Sequence, residues 1–205
     1  MLLNNCYLKM KVVIIKYNAG NIRSVLFALE RIGVNAMVTD DHDEIRSADR
    51  VIFPGVGEAS SAMAYLKQKG LDTLISSLTQ PVLGICLGMQ LMCSFSEENN
   101  TTCLGIFDQK VKLFPVNGFK IPQIGWNNIT HLKSDLFRGV DENAYMYFVH
   151  SYYVEKCENA ISLTNYVSDY SSSVQKNNFY AVQFHPEKSG EAGQKILENF
   201  IFNLS

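Results

Sequence analysis

The stretch "GICLG", Gly84 to Gly88, sets one thiol between two glycines at the end of an apolar run. Residues up to Cys86 have strand character and those after it helix character. Glycines two before and two after the cysteine allow a sharp turn and a close approach to neighbouring backbone, the sequence form of a nucleophile elbow. Such a turn sets the sulfur at a helix N-terminus, where partial positive charge favours a thiolate. It also aims the amide of Leu87 at the place where an oxyanion would develop. The bland alternative is a small core residue whose glycines serve packing. Covalent chemistry needs a base beside the thiol, so the choice turns on the histidines.

There are four. His42 lies in "DDHDE", read as a solvated acidic turn, and His131 in a polar stretch. His150 sits in a strand-like run with nothing two residues on to orient it, which suits a packed strand histidine better than a base. His185 differs. In "AVQFHPEKSG" it ends a strand, and Glu187 follows two positions later. Residues i and i+2 of extended backbone face the same way, and Pro186 restricts the chain between them. A carboxylate there accepts the hydrogen bond of one imidazole nitrogen and turns the other toward the thiol. Nucleophile, base and orienting group are then all present. Gln90, one helical turn beyond Cys86, can face the same pocket and hold a substrate's α-groups.

The elements around these motifs imply an α/β fold. "KVVIIKY" (Lys11–Tyr17) reads as a buried strand. The helical pattern Ile22, Val25, Leu26, Leu29, Ile32 follows, with Gly33 as its cap. "RVIFPG" (Arg50–Gly55) is a strand, and a helix through Met63 and Leu66 ends at Gly70. A further helix covers Leu71–Leu78, "PVLGIC" is the central strand and "LGMQLMCSF" the helix after it. Strand–helix alternation at this pace implies parallel strands with crossover helices. The second half is richer in strands: "QKVKLF", "AYMYFVHSYYV", "AISLTNYV", "SSVQK" and "FYAVQFHP". "NGFKIPQIGWN" is a turn-rich excursion, and an amphipathic helix from about Glu191 to Asn203 closes the chain.

Composition removes several classes of function. The 205 residues are 47% apolar and 19% charged, enough for one well-filled domain. A formal net charge of -2 without Lys or Arg runs offers nothing to nucleic acid. No stretch approaches the roughly 20 apolar residues of a membrane span. Five cysteines at irregular spacing, with no Cys-x-x-Cys pair, suggest neither a disulfide framework nor a metal site. A reducing, cytoplasmic setting follows. Cys6, Cys93, Cys103 and Cys157 are read as filler, and no cofactor is called for. The opening "MLLNNCYLKM" makes a poor signal peptide, so residues 1–9 are read as an upstream extension and 10–205 as one domain.

With these residues in view the chain resembles the class I, or triad, glutamine amidotransferases. "GICLGMQ" is similar to their nucleophile motif, "FHPEKSG" to their His-x-Glu motif, and "FPGVG" (Phe53–Gly57) to their oxyanion strand, in the family's order. The resemblance covers essentially everything from Met10 to Leu204. It implies a flavodoxin-like, three-layer α/β fold with added strands in the second half, and Cys86, His185 and Glu187 as the triad. Glutamine would be hydrolysed to glutamate and ammonia through a γ-glutamyl thioester. Gly55, Val56 and Gly57 would lie beside the thiol, where a peptide flip, cheap only next to glycine, completes an oxyanion hole with Leu87. Glu98, or its neighbour Glu97, would receive the substrate ammonium, and the strand at His150 and Ser151 would border the glutamine.

"KYNAGNIRSV", "IPQIGWN" and "YFVHSYY" are further similar to members that dock as a heterodimer on the mouth of a (β/α)₈-barrel cyclase. Those members send ammonia through the barrel to an imidazole precursor in histidine biosynthesis. Lys16 and Asn18 stand where those members usually carry Asp and Gly, and Gln123 where they carry His. Trp126, the sole tryptophan, is either a loop anchor or an interface hot spot. The resemblance favours the interface, together with Asn21, Gln123 and Lys188.

Overall fold

Val, Ile and Leu runs with no polar alternation build the centre of the molecule, as strands covered on both faces require. The computed structural model describes residues 10–18, 21–116 and 118–204; the extension read for residues 1–9 lies outside the described residues. Strands β1 (Val12–Ile15), β2 (Met37–Thr39), β3 (Arg50–Gly55) and β4 (Val82–Cys86) alternate with helices α1 (Ile22–Arg31), α2 (His42–Arg46), α3 (Ala59–Gln68) and α4 (Leu71–Ser76). Helix α5 (Leu87–Met92) springs directly from β4. There follow β5 (Phe95–Ser96), β6 (Thr101–Thr102), β7 (Lys110–Leu113), β8 (Gln123–Asn128), β9 (Tyr145–His150), β10 (Tyr152–Glu155), β11 (Ala160–Asn165), β12 (Asp169–Lys176) and β13 (Phe179–Val182), and α6 (Gly190–Glu198) comes last.

β2, β1, β3, β4 and β13 lie side by side in that order, all parallel. This is the flavodoxin-like order, with its ligand crevice at the carboxyl ends of the strands. Beyond β13 the sheet continues through antiparallel β12, β10 and β7 to the short β5 and β6, while β11 pairs with β12. Side chains alternate across the central strands and feed two cores. One joins Val13, Ile15 and Phe53 to Leu66, Leu74 and Met89; the other joins Val12, Ile14 and Ile52 to Leu29, Leu197 and Phe148. Fully burying each such side chain contributes about 1.5–3 kcal/mol. Among the described residues no helix is long and apolar enough to cross a membrane.

Four local expectations need correction. "DDHDE" is not a loose turn: His42–Arg46 is helical, because Asp41 caps it by accepting from Asp43 N and Glu44 N at 2.9 Å. The run "AYMYFVHSYYV" is two strands, broken at Ser151. Its burial phase changes there, with Met146, Phe148 and His150 inside before the break and Tyr153 and Val154 after it. The turn-rich excursion contains β8, which becomes a strand by pairing with β9 in a separate two-stranded sheet, Trp126 opposite Tyr147. The last helix is regular only to Glu198 and widens into a π turn over Asn199–Asn203.

The glycines flanking Cys86 explain how α5 sits on the sheet. A Cβ on Gly88 would lie 1.9 Å from the Phe53 carbonyl oxygen of β3, and one on Gly84 would meet Met92 Sδ at 2.9 Å and Met89 N at 3.0 Å. Both obstacles lie in the packed interior and Phe53 O belongs to a paired strand, so neither yields cheaply. Gly88→Ala should therefore destabilise the fold by about 3 kcal/mol or more in urea titrations. Gly33→Ala, at φ 80° with nothing near its added carbon, should cost about 1 kcal/mol.

Candidate active site

Cys86 is the last residue of β4 and the cap of α5, at φ 54° and ψ -107°. A non-glycine residue at positive φ is strained by about 1–3 kcal/mol, and such strain persists only where the surroundings over-determine it. Here they do: β3 pairs Gly55 with Cys86, α5 is pinned against Phe53 O, and β13 flanks the other side. Cys86 is only 6% exposed, yet it lines a cavity of about 320 Å³. Val56, Gly57 and Leu87 line the same cavity. Gly55 lies beneath it, with no room for a Cβ, because the Tyr17 hydroxyl would be 2.1 Å away. That hydroxyl donates to Pro54 O at 2.6 Å and so ties down the strand just before the glycines. Gly57, at φ 121° with open space around it, has the backbone freedom that a peptide flip needs.

His185 follows β13 and is completely buried. Its Nδ1 lies 2.8 Å from Glu187 Oε1. The pair meets by a route other than the extended one expected: Pro186–Lys188 is a short 3₁₀ turn, closed by Lys188 N donating to His185 O at 3.0 Å. The backbone that carries the ring is fixed by Ser189 Oγ donating to His185 O at 2.6 Å and by His185 N donating to Tyr147 O at 2.9 Å. Nε2 is buried and, among the described residues, makes no well-aligned hydrogen bond. Burial works to lower the imidazole pKa, but hydrogen bonding to the Cys86 sulfur and the Glu187 carboxylate, with their charges, outweighs it and raises the value to about 10. An imidazole with a strong pull on a proton, set beside a sulfur, is the arrangement needed to take one from a thiol and hand it on. Elsewhere in the molecule burial pushes the Cys93 thiol far up and the Cys103 thiol to about 11.

Around the sulfur the remaining groups divide cleanly. Gln90 is buried on the cavity wall and its Nε2 donates to Tyr152 O at 3.1 Å. Glu98 lines the cavity too, with Oε2 accepting from Ala59 N at 2.7 Å, and burial raises its pKa. Glu97 turns away to accept from Leu113 N at 2.8 Å, so of the two acids only Glu98 faces the site. Ser151 borders the cavity, and its carbonyl accepts from Phe114 N. His150 lines it with Nδ1 2.8 Å from Tyr152 O and Nε2 3.3 Å from the oxygen of Tyr170, whose proton goes to Gln123 Oε1. Burial lowers its pKa to about 4 despite the bond to Tyr152, so the ring is neutral with the proton on Nδ1.

The four residues expected at a partner surface separate. Trp126 is 55% exposed and stacks edge-on against Tyr147, whose ring lies 5.7 Å from the ammonium of exposed Lys188. Ile124 and Tyr145 extend the same apolar face of the hairpin. Gln123 does not belong there. Strand alternation turns it inward, 3% exposed, where its Oε1 accepts from Tyr170 OH at 3.1 Å. Asn21 is half-buried at φ 73°, and its amide is spent on Glu187 Oε1, at 2.5 Å. Three residues absent from the expectations adjoin the site: Tyr17, Tyr170 and Gln183, whose Nε2 lies 3.7 Å from Cys86 Sγ. Gln183 had a readable signal, since it stands two before His185 in an otherwise apolar strand. The other two meet the site only through tertiary packing.

The model of the family described as glutamine amidotransferase class-I matches residues 13–204. A protein of Bacteroides fragilis named imidazole glycerol phosphate synthase subunit HisH is 58% identical over 194 residues, 94% of this chain and 99% of its own length. The protein so named in Haemophilus influenzae is 46% identical over 191 residues, 93% of this chain and 96% of its own. Among solved structures, PurLQS from Thermotoga maritima has a TM-score of 0.71 at 16% identity, covering 94% of this chain and 98% of that one. At that identity the likeness concerns the fold alone.

The raised pKa of His185 carries a sign. Protonation favours the folded state, so its contribution is fully present below about pH 6.5 and is lost as pH rises through about 10. Glu187→Gln removes one of the two groups that hold the proton. Urea titrations from about pH 6.5 to 10 should show the wild type losing roughly 2 kcal/mol more stability than the variant.

Proposed function

The chain belongs to the class-I glutamine amidotransferase family, and on that premise we propose that it is the glutaminase subunit of an imidazole glycerol phosphate synthase. The observation that carries the chemistry is the meeting of Cys86, at a strained elbow, with the buried His185–Glu187 pair on neighbouring strands. Two named relatives that cover nearly all of this chain support the choice of synthase.

In the reaction we assign, glutamine enters the cavity with its side-chain amide beside Cys86. Glu98 and the free oxygen of Gln90 take the substrate ammonium, both being acceptors on the wall. His185 removes the thiol proton, and the sulfur attacks the amide carbon. Negative charge develops on the former carbonyl oxygen, which the Leu87 amide and a flipped peptide in Gly55–Gly57 would bind. His185 then gives its proton to the departing ammonia, leaving a γ-glutamyl thioester. A water deprotonated by the same imidazole hydrolyses the thioester to glutamate and frees the sulfur. Glu187 keeps Nδ1 protonated and the ring aligned throughout, and Asn21 holds Glu187.

Ammonia is useful only if it reaches an acceptor before water protonates it. Val149 lines the cavity and pairs with Ile124 on the exposed apolar face of the β8–β9 hairpin. An apolar face of this kind marks a docking surface. We assign it to a (β/α)₈-barrel cyclase, in a cytoplasmic heterodimer, with Trp126 and Lys188 at its centre. Residues 10–205 act as one glutaminase domain.

Two outcomes follow. Cys86→Ala should lower glutamine-dependent product formation by the complex at least about 10³-fold, while added ammonia still supports synthesis. Survival of glutamine turnover would remove the nucleophile from its role. Trp126→Ala should weaken association with the cyclase by about 2 kcal/mol or more, roughly thirtyfold in Kd by calorimetry. Co-purification with a chorismate-using subunit instead of a cyclase would overturn the choice of synthase.

A further inference from the structure

Gln183 is fully buried and stands two residues before His185. Val182 of β13 pairs with Ile85 of β4, so the next residues on each strand, Gln183 and Cys86, run side by side. The Gln183 amide spans from the sulfur to Gln90: its Nε2 lies 3.7 Å from Cys86 Sγ, and its Oε1 accepts from Gln90 Nε2 at 3.0 Å. Gln90 Nε2 places its other hydrogen on Tyr152 O at 3.1 Å.

The direction of this chain of bonds is set at one end. A backbone carbonyl can only accept, so Tyr152 O requires the nitrogen of Gln90 to point inward. The orientation of the Gln90 amide is thereby fixed, and Gln183 must offer it an oxygen. With that oxygen committed, Gln183 has only N–H left to present to the sulfur. Turning the Gln183 amide over would set two donors face to face at Gln90 and a lone pair against Sγ.

We infer that Gln183 is a catalytic residue of this site: its side-chain N–H stabilises the Cys86 thiolate, and its carbonyl oxygen holds Gln90 in the orientation that leaves Oε1 for the substrate. This rests on the function proposed above. A donor bonds an anionic acceptor about twice as strongly as a neutral one. The contact therefore strengthens when His185 takes the thiol proton and relaxes when the sulfur becomes a neutral thioester. The same amide links the nucleophile to the substrate-binding wall, so both are aligned by one buried group.

The test is alkylation of the full-length chain by iodoacetamide, with the modified cysteine located by peptide mapping. Gln183→Met keeps the volume and removes the donor; Gln183→Asn keeps an amide too short to reach the sulfur, and serves if the first variant does not fold. The titratable groups around the sulfur are His185 after β13, Tyr17 after β1, and His150, Tyr152 and Glu98 on the cavity wall. All five are kept in both variants, so a difference from the wild type reports the amide. At about pH 7 either variant should modify Cys86 roughly tenfold more slowly than the wild type. The gap should close at alkaline pH, where the thiolate forms without help. Equal rates in variant and wild type at neutral pH would overturn the inference, and so would a loss that stays constant at every pH. If Cys86 of the wild type resists alkylation while other thiols react, the proposed function itself fails, which is a distinguishable result.

Discussion

The parallel pairing of β13 with β4 is the constraint on which the site depends. Cys86 and His185 are far apart in sequence, and only this pairing sets the ends of their strands side by side. A slip of one residue would turn Gln183 and His185 to the opposite face of the sheet. Two features hold the register. Residues Phe179–Val182 are buried on both faces, so neither face tolerates exchange. At the start of the strand the Asn178 side chain donates to Leu78 O at 2.9 Å and Gln80 O at 2.8 Å, while Val82 N donates to Asn178 O at 3.0 Å. The loop entering β4 is thus tied to the residue that opens β13.

Given that pairing, the rest of the site is a matter of small backbone exceptions. Cys86 at positive φ and Gly88 against Phe53 O are locally unfavourable or intolerant of change. Surrounding close-packed strands and helices hold them in place. Buried polar atoms without partners are rare in folded proteins, yet His185 Nε2 and Glu187 Oε2 lack a well-aligned one among the described residues. Stability is given up where groups must remain free to exchange protons.

On the proposed function, the β8–β9 hairpin joins the cavity to the docking surface. Its inner face sends Phe148 into the core and His150 to Tyr170, while its outer face exposes Ile124, Trp126 and Tyr145. One thin element is therefore wall of the cavity and surface for the proposed partner. Movement of the hairpin on docking would reach the backbone at Val149 to Ser151 without crossing the core.

By itself the sequence determined the strand–helix alternation, the elbow at Cys86 and the pairing of His185 with Glu187, because each is local: a residue pattern, two glycines, a spacing of two. It also marked Gln90 as a neighbour of the thiol, one helical turn away. Only the tertiary structure decided that Ser151 divides one β-rich run between two sheets, since both halves have the same composition. The inward turn of Gln123, the use of Asn21 on Glu187 and the choice of Glu98 over Glu97 depended on which partner lay opposite, and no local pattern encodes that. Gln183 sits between these cases. Its place two before His185 was legible, but its contact with the sulfur exists only because β13 lies beside β4, where strand pairing across the sheet converts separation along the chain into hydrogen-bonding distance.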